Sequence, residues 1–108
     1  MNEDEQATGD PAITDNQAER RFELPVDGQT AVLVYRRRAD RLVLVHTEVP
    51  EQSRVHGLGG RLVEAAVDRA AAEGLTVVPL CPFARRWLEQ HPEAAATVNV
   101  DWGEPPED

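Results

Sequence analysis

Between residues 41 and 81 the spacing of apolar residues changes period twice. That change limits the fold more than any other feature of the chain. "RLVLVHTEVP" (41–50) is a strand-like run of Leu and Val, stopped by Pro50, which cannot donate to a β-ladder. Leu58, Leu62, Ala65, Ala66 and Ala70 then recur at helical spacing, and Val63 and Val67 widen the apolar face. Gly74 stands where a C-cap glycine is expected. "LTVVPLC" (75–81) returns to a buried-type strand. A strand, a helix and a strand in succession predict a β-α-β unit. Its strands are parallel if adjacent, and the crossover is right-handed.

The flanks complete a mixed α/β fold. "RFELPV" (21–26) alternates with Phe22, Leu24 and Val26 on one side, Asp27-Gly28 reads as a hairpin turn, and "TAVLVYRRRA" (30–39) is rich in β-formers up to a turn at Ala39-Asp40. These runs predict an antiparallel meander leading into the β-α-β unit. Pro82 suits the first turn of a last helix, "PFARRWLEQH", which His91-Pro92 ends.

One stretch runs against this local logic. "RVHGLGGRL" (54–62) sets three glycines at the start of a helix, although glycine lowers helix propensity by about 1 kcal/mol in an interior. The place is informative, because the first amides of a helix lack intrahelical partners and carry the positive end of its dipole. Phosphates bind there, and glycine lets them approach the backbone. A P-loop is excluded by the missing Gly-Lys-Ser/Thr. A Rossmann fingerprint is excluded because Leu62 stands at the third glycine and Pro79-Leu80-Cys81 supplies no acid for a ribose.

Arg54-Val55-His56-Gly57-Leu58-Gly59 does match Gln/Arg-x-x-Gly-x-Gly/Ala, the acyl-CoA signature of the GCN5-related N-acetyltransferases. "HTEVP", "RVHGLGGRLVEAAVDRA", "GLTVVPLCPF" and "HPE" follow in the order seen in minimal, single-domain YjdJ-type members. Over residues 22 to 93 the chain strongly resembles that subfamily. The resemblance implies a GNAT-like fold in which strands 41–49 and 75–81 splay apart around the pantetheine of acetyl-CoA. It assigns cofactor binding to Val49, Arg54, Val55, His56, Gly57, Leu58, Gly59 and Gly60, mostly through the main chain. Val55 departs from the glycine usual in the subfamily. The implied activity is acetyl-CoA-dependent N-acetyl transfer to an amine, on a protein or peptide if the cleft is open. The alternative is a CoA- or acyl-CoA-binding module with little turnover.

Such a transfer needs a neutral amine and a stabilised leaving thiolate. Three side chains are candidates. Cys81 ends the second strand at a helix start, where thiolates are favoured; a buried apolar cysteine is the plainer account. The resemblance marks a cysteine at this position as a candidate catalytic residue. His46 and Glu48 share one strand face if no bulge intervenes, and either could serve as base or form a satisfied polar pair. Trp87 stands where the subfamily often has a tyrosine, and an indole cannot deliver a proton. Ala94 replaces the aromatic after "HPE". Arg85 and Arg86 read as solvated helix residues.

Composition bounds the rest. The net charge of −9 resides in the ends: six acids lie in residues 1–19 and four in 101–108, leaving ten acids against eleven arginines between them. The expected organisation is an acidic mobile tail (1–19), one domain (20–100) and a second acidic tail (101–108). No basic cluster is interleaved with aromatics, which argues against nucleic acid. One cysteine permits no internal disulfide and argues against structural zinc; no metal site is expected. No apolar run is long enough for a membrane span, and no signal core opens the chain. A cytoplasmic location is expected, as is a monomer or at most a weak dimer. Lysine is absent.

Overall fold

A computed structural model describes residues 12–51 and 57–103. Nine elements follow in order: β1 (Thr14–Asn16), β2 (Arg21–Val26), β3 (Gln29–Arg38), β4 (Arg41–Glu48), α1 (Leu58–Glu73), β5 (Thr76–Pro79), α2 (Pro82–Gln90), α3 (Pro92–Ala95) and β6 (Asn99–Val100). The strands form one sheet in sequence order, β1-β2-β3-β4-β5-β6. The first four are antiparallel, and β5 runs parallel to both β4 and β6.

The hairpins are set by left-handed turn residues. Asp27 (φ 49°) and Gly28 (φ 81°) join β2 to β3, and Ala39 (φ 53°) sits between β3 and β4. Two-residue turns with positive φ match the twist of the strands they connect. α1 begins on Gly57 and ends on Gly74, both left-handed, and the Gly74 amide closes onto the Ala70 carbonyl.

One core lies between the helices and a single face of the sheet. Phe22, Leu24, Ala31, Leu33, Tyr35, Leu42 and Leu44 meet Leu62, Val63, Ala66, Val67 and Ala70 of α1, with Ala84 and Leu88 of α2. α1 packs across β2 to β5, and α2 across β4 and β5. The ladder pairs Glu23 with Val32 and Val34 with His46 on the other face, which carries no helix among the described residues.

Both ends of the domain lie further out than composition implied. Thr14–Asn16 is a strand, and Asp15 accepts hydrogen bonds from Tyr35 Oη (2.5 Å) and Arg69 (3.0 Å). The Asp101 amide donates to the Val77 carbonyl (2.8 Å), its carboxylate pairs with Arg41, and Arg85 lies over the Trp102 ring. Residues 14–19 and 101–103 are therefore part of the folded domain and not of mobile tails. Asp15 and Asp101 are structural partners of Arg69 and Arg41, a role that charge counting alone does not distinguish from solvation.

Candidate active site

The site begins where β4 and β5 part. Their ladder runs from Arg41 and Thr76 to Leu44 and Pro79, and the Cys81 amide closes it on the Leu44 carbonyl (2.9 Å). β4 continues four residues further, to Glu48, paired only with β3. At the same point the β3–β4 register slips. Val34 faces His46 but Tyr35 faces Leu44, so Val45 is an extra residue on β4. The slip inverts the faces beyond it. Thr47 lies opposite Leu33, on the helix-covered side, and His46 lies opposite Val34, on the open side.

A cleft of about 340 Å³ opens in the gap, lined by Thr47, Val49, Gly57, Gly59 and Phe83. The start of α1 forms one wall. Gly57 holds φ 72°, and a Cβ there would meet no protein atom within 4 Å; a side chain would project into the cleft. The amides of residues 57 to 60 open the helix without intrahelical acceptors, and its first turn contains no acidic residue. Such a wall suits an anion such as a pyrophosphate.

The other two glycines of the stretch have a different task. A Cβ on Gly59 would stand 2.8 Å from the Phe83 ring, and one on Gly60 would stand 2.5 Å from Trp87 Nε1. Both are buried, and they let the aromatic side chains of α2 lie directly on α1. Phe83 thereby forms a wall of the cleft. Trp87 stacks on His91 (centroids 3.9 Å apart, planes at 12°) and lines a groove of about 700 Å³ between α1 and α2–α3. Gly57 and Phe83 border both cavities, so the two adjoin there. At the groove, burial and the neighbouring Glu64 push the Asp68 carboxyl above its usual range.

The candidates distribute as follows. Val49, Gly57 and Gly59 line the cleft. Gly60 lines the groove, and Leu58 is buried in the core with only its main chain suited to a ligand. Arg54, Val55 and His56 lie outside the described residues. Cys81 caps the start of α2 and is 4% exposed, with its sulfur 3.2 Å from Thr47 Oγ1. His46 and Glu48 do share a face, with Nε2 and Oε2 3.1 Å apart. Both are exposed, in a depression of about 410 Å³ on the opposite side of β4, which borders the cleft through Thr47 and Val49. Arg85 is held by Glu89 and Trp102. Thr47 and Phe83 were missed in the sequence. The alternation of β4 placed Thr47 opposite His46 and Glu48, but only the slip at Val45 decides which of the two faces meets the cleft. Among the described residues no group of three His, Cys, Asp or Glu side chains could hold a metal.

Comparison with known proteins identifies the family and the fold. A family model described as GCN5-related N-acetyl-transferase matches residues 21–98. Protein NATD1 of Mus musculus is 32% identical over 88 residues, 78% of this chain and 80% of the mouse protein. Protein NATD1 of Homo sapiens is 33% identical over 76 residues, 68% of this chain and 67% of the human one. The solution structure of a GCN5-like protein from Staphylococcus aureus superposes with a TM-score of 0.65, covering 88% of this chain and 95% of that one at 22% identity. That last likeness is one of fold.

Proposed function

The chain belongs to the GCN5-related N-acetyltransferase family and is an N-acetyltransferase, and on that footing we propose that it transfers the acetyl group of acetyl-CoA directly to a primary amine at the gap between β4 and β5. The observation that carries this reading is that the two cavities adjoin at Gly57 and Phe83, beside the start of α1. In this reading the acyl end of the elongated thioester lies at Thr47 and its pyrophosphate on the amides of residues 57 to 60. Its nucleotide half then extends toward the groove beside Arg61 and Trp87.

The amine arrives from the opposite side of β4, through the open depression that holds His46 and Glu48. Their polar pair borders the cleft across one strand and accepts the proton of the incoming ammonium through water. The depression is shallow and exposed, which suits an amine on a flexible protein or peptide segment. The burial of Cys81 favours direct attack over a covalent acetyl-cysteine. The exposure of His46 and Glu48 also supports the second reading, an acyl-CoA-binding module with little turnover.

Calorimetry with acetyl-CoA tests the cofactor site. Gly57→Glu should abolish binding, since it adds bulk and like charge where the phosphates sit. Gly57→Asn, which tolerates the left-handed backbone and adds bulk without charge, should weaken binding less than Gly57→Glu does. Undiminished affinity in folded Gly57→Glu would refute the assignment. Mass spectrometry of lysine-bearing peptides incubated with enzyme and acetyl-CoA then separates transfer from binding alone.

A further inference from the structure

Thr47 borders the cleft, and its hydroxyl contacts the buried Cys81 thiol. Thr47 lines the cavity, whereas Cys81 is 4% exposed and is not among the residues that line it. The two are joined by the 3.2 Å contact between Oγ1 and Sγ. Thr47 reaches this position only because Val45 is extra on β4; without that slip it would face the open side. A hydroxyl has one hydrogen to give and can accept others, and a thiol is a weak donor. If the Cys81 S–H donates to Thr47 Oγ1, the Thr47 O–H is left to point into the cleft.

We propose that Thr47 is a catalytic residue: its hydroxyl donates a hydrogen bond to the carbonyl oxygen of the bound thioester, and Cys81 is the positioning residue that orients it. The proposal rests on the cleft being the acetyl-CoA site. In the step it serves, the neutral amine nitrogen bonds to the carbonyl carbon and negative charge develops on the carbonyl oxygen. The carbon–sulfur bond then breaks, with its electron pair going to the CoA sulfur. The nitrogen loses a proton through water and the sulfur gains one. Thr47 keeps its own proton throughout, and its hydrogen bond strengthens as the oxygen becomes charged, which is where a fixed donor lowers a barrier most. This makes the cysteine essential to geometry without making it a nucleophile.

The test uses acetyl-CoA labelled with carbon-13 at the carbonyl, observed by difference infrared spectroscopy on the intact protein, so that no acceptor is needed. Binding to the wild type should move the carbonyl stretch to lower frequency. Thr47→Ser should keep the shift and Thr47→Val, nearly isosteric, should remove it while calorimetric affinity stays close to wild type. Cys81→Ala should weaken the shift, and Cys81→Ser should restore it. With hydroxylamine as a small acceptor, Thr47→Val should lower kcat by about 10²-fold with little change in the KM for acetyl-CoA. A bound thioester with no shift, or a shift unchanged in Thr47→Val, overturns the proposal alone. Failure of the wild type to bind acetyl-CoA overturns the reading of the cleft beneath it. Loss of turnover in Cys81→Ser with an active Thr47→Val would assign the chemistry to sulfur instead.

Discussion

Trp87 Nε1 lies 2.5 Å from the point that a Cβ on Gly60 would occupy. Helix propensity says that Gly60→Ala should stabilise α1 by about 1 kcal/mol. Packing says the reverse, because a methyl group forced against a half-buried indole that is itself stacked on His91 costs about 1–3 kcal/mol. Packing should win. Gly60→Ala is expected to lower the unfolding free energy by up to about 2 kcal/mol in urea titrations. The same change should cost less in a Trp87→Phe background, where the ring is smaller. Phe83 is 43% exposed and can swing aside, so Gly59→Ala should be milder. Stabilisation by Gly60→Ala in the wild-type background would show that the indole gives way freely.

Asp15, Tyr35 and Arg69 form a second lock, between β1 and α1. Tyr35 donates to one carboxylate oxygen of Asp15, while Arg69 donates to the other and to the phenol, with its guanidinium over the ring. Burial first, then the adjacent Asp15, pushes the Tyr35 phenol up to about 12. The folded state therefore favours the neutral phenol. An unfolded tyrosine ionises near pH 10, so this contribution to stability is complete below about 10 and is lost as pH rises through about 12. Tyr35 is the only tyrosine in the chain, and absorbance at 295 nm reports it directly. The midpoint should fall toward 10 in Asp15→Asn and in a chain lacking residues 1–19. Both changes should also lower Tm. A midpoint near 10 in the intact protein would contradict the lock.

The parts legible in the sequence are those where period and punctuation agree. The meander, the β-α-β unit and α2 follow from alternation, helical spacing and the placement of Gly28, Gly74 and Pro82. β1 was not legible, because Thr-Asp-Asn has no apolar alternation and is held by Asp15 reaching side chains 20 and 54 residues away. β6 is two residues long, too short for any period. The glycine stretch was located correctly as the start of a helix. Its division of labour was hidden, since only the approach of Phe83 and Trp87 separates Gly59 and Gly60 from Gly57. The slip at Val45 had the largest consequence. One extra residue leaves no mark in an apolar run, yet it turns Thr47 toward Cys81 and turns His46 and Glu48 to the far side of the strand.

That inversion makes a prediction about the protein's own acetylation. All eleven basic residues are arginine, so no internal lysine can act as an acceptor, and Cys81 is the one internal thiol. A sulfur that must act as nucleophile has to reach the carbonyl carbon along an open path. The Cys81 sulfur is instead buried, and it contacts Thr47, which lines the cavity where Cys81 does not. Incubation with acetyl-CoA, quenching in acid to preserve thioesters and mapping of the peptides should find Cys81 unmodified and no stable acetyl group at any internal residue. Thr47→Gly, which removes the contacting side chain, should be the variant in which an acetyl-cysteine first appears. In the wild type, a thioester on Cys81 that forms and decays at the rate of product release would instead require the strand to open during turnover and would establish covalent transfer.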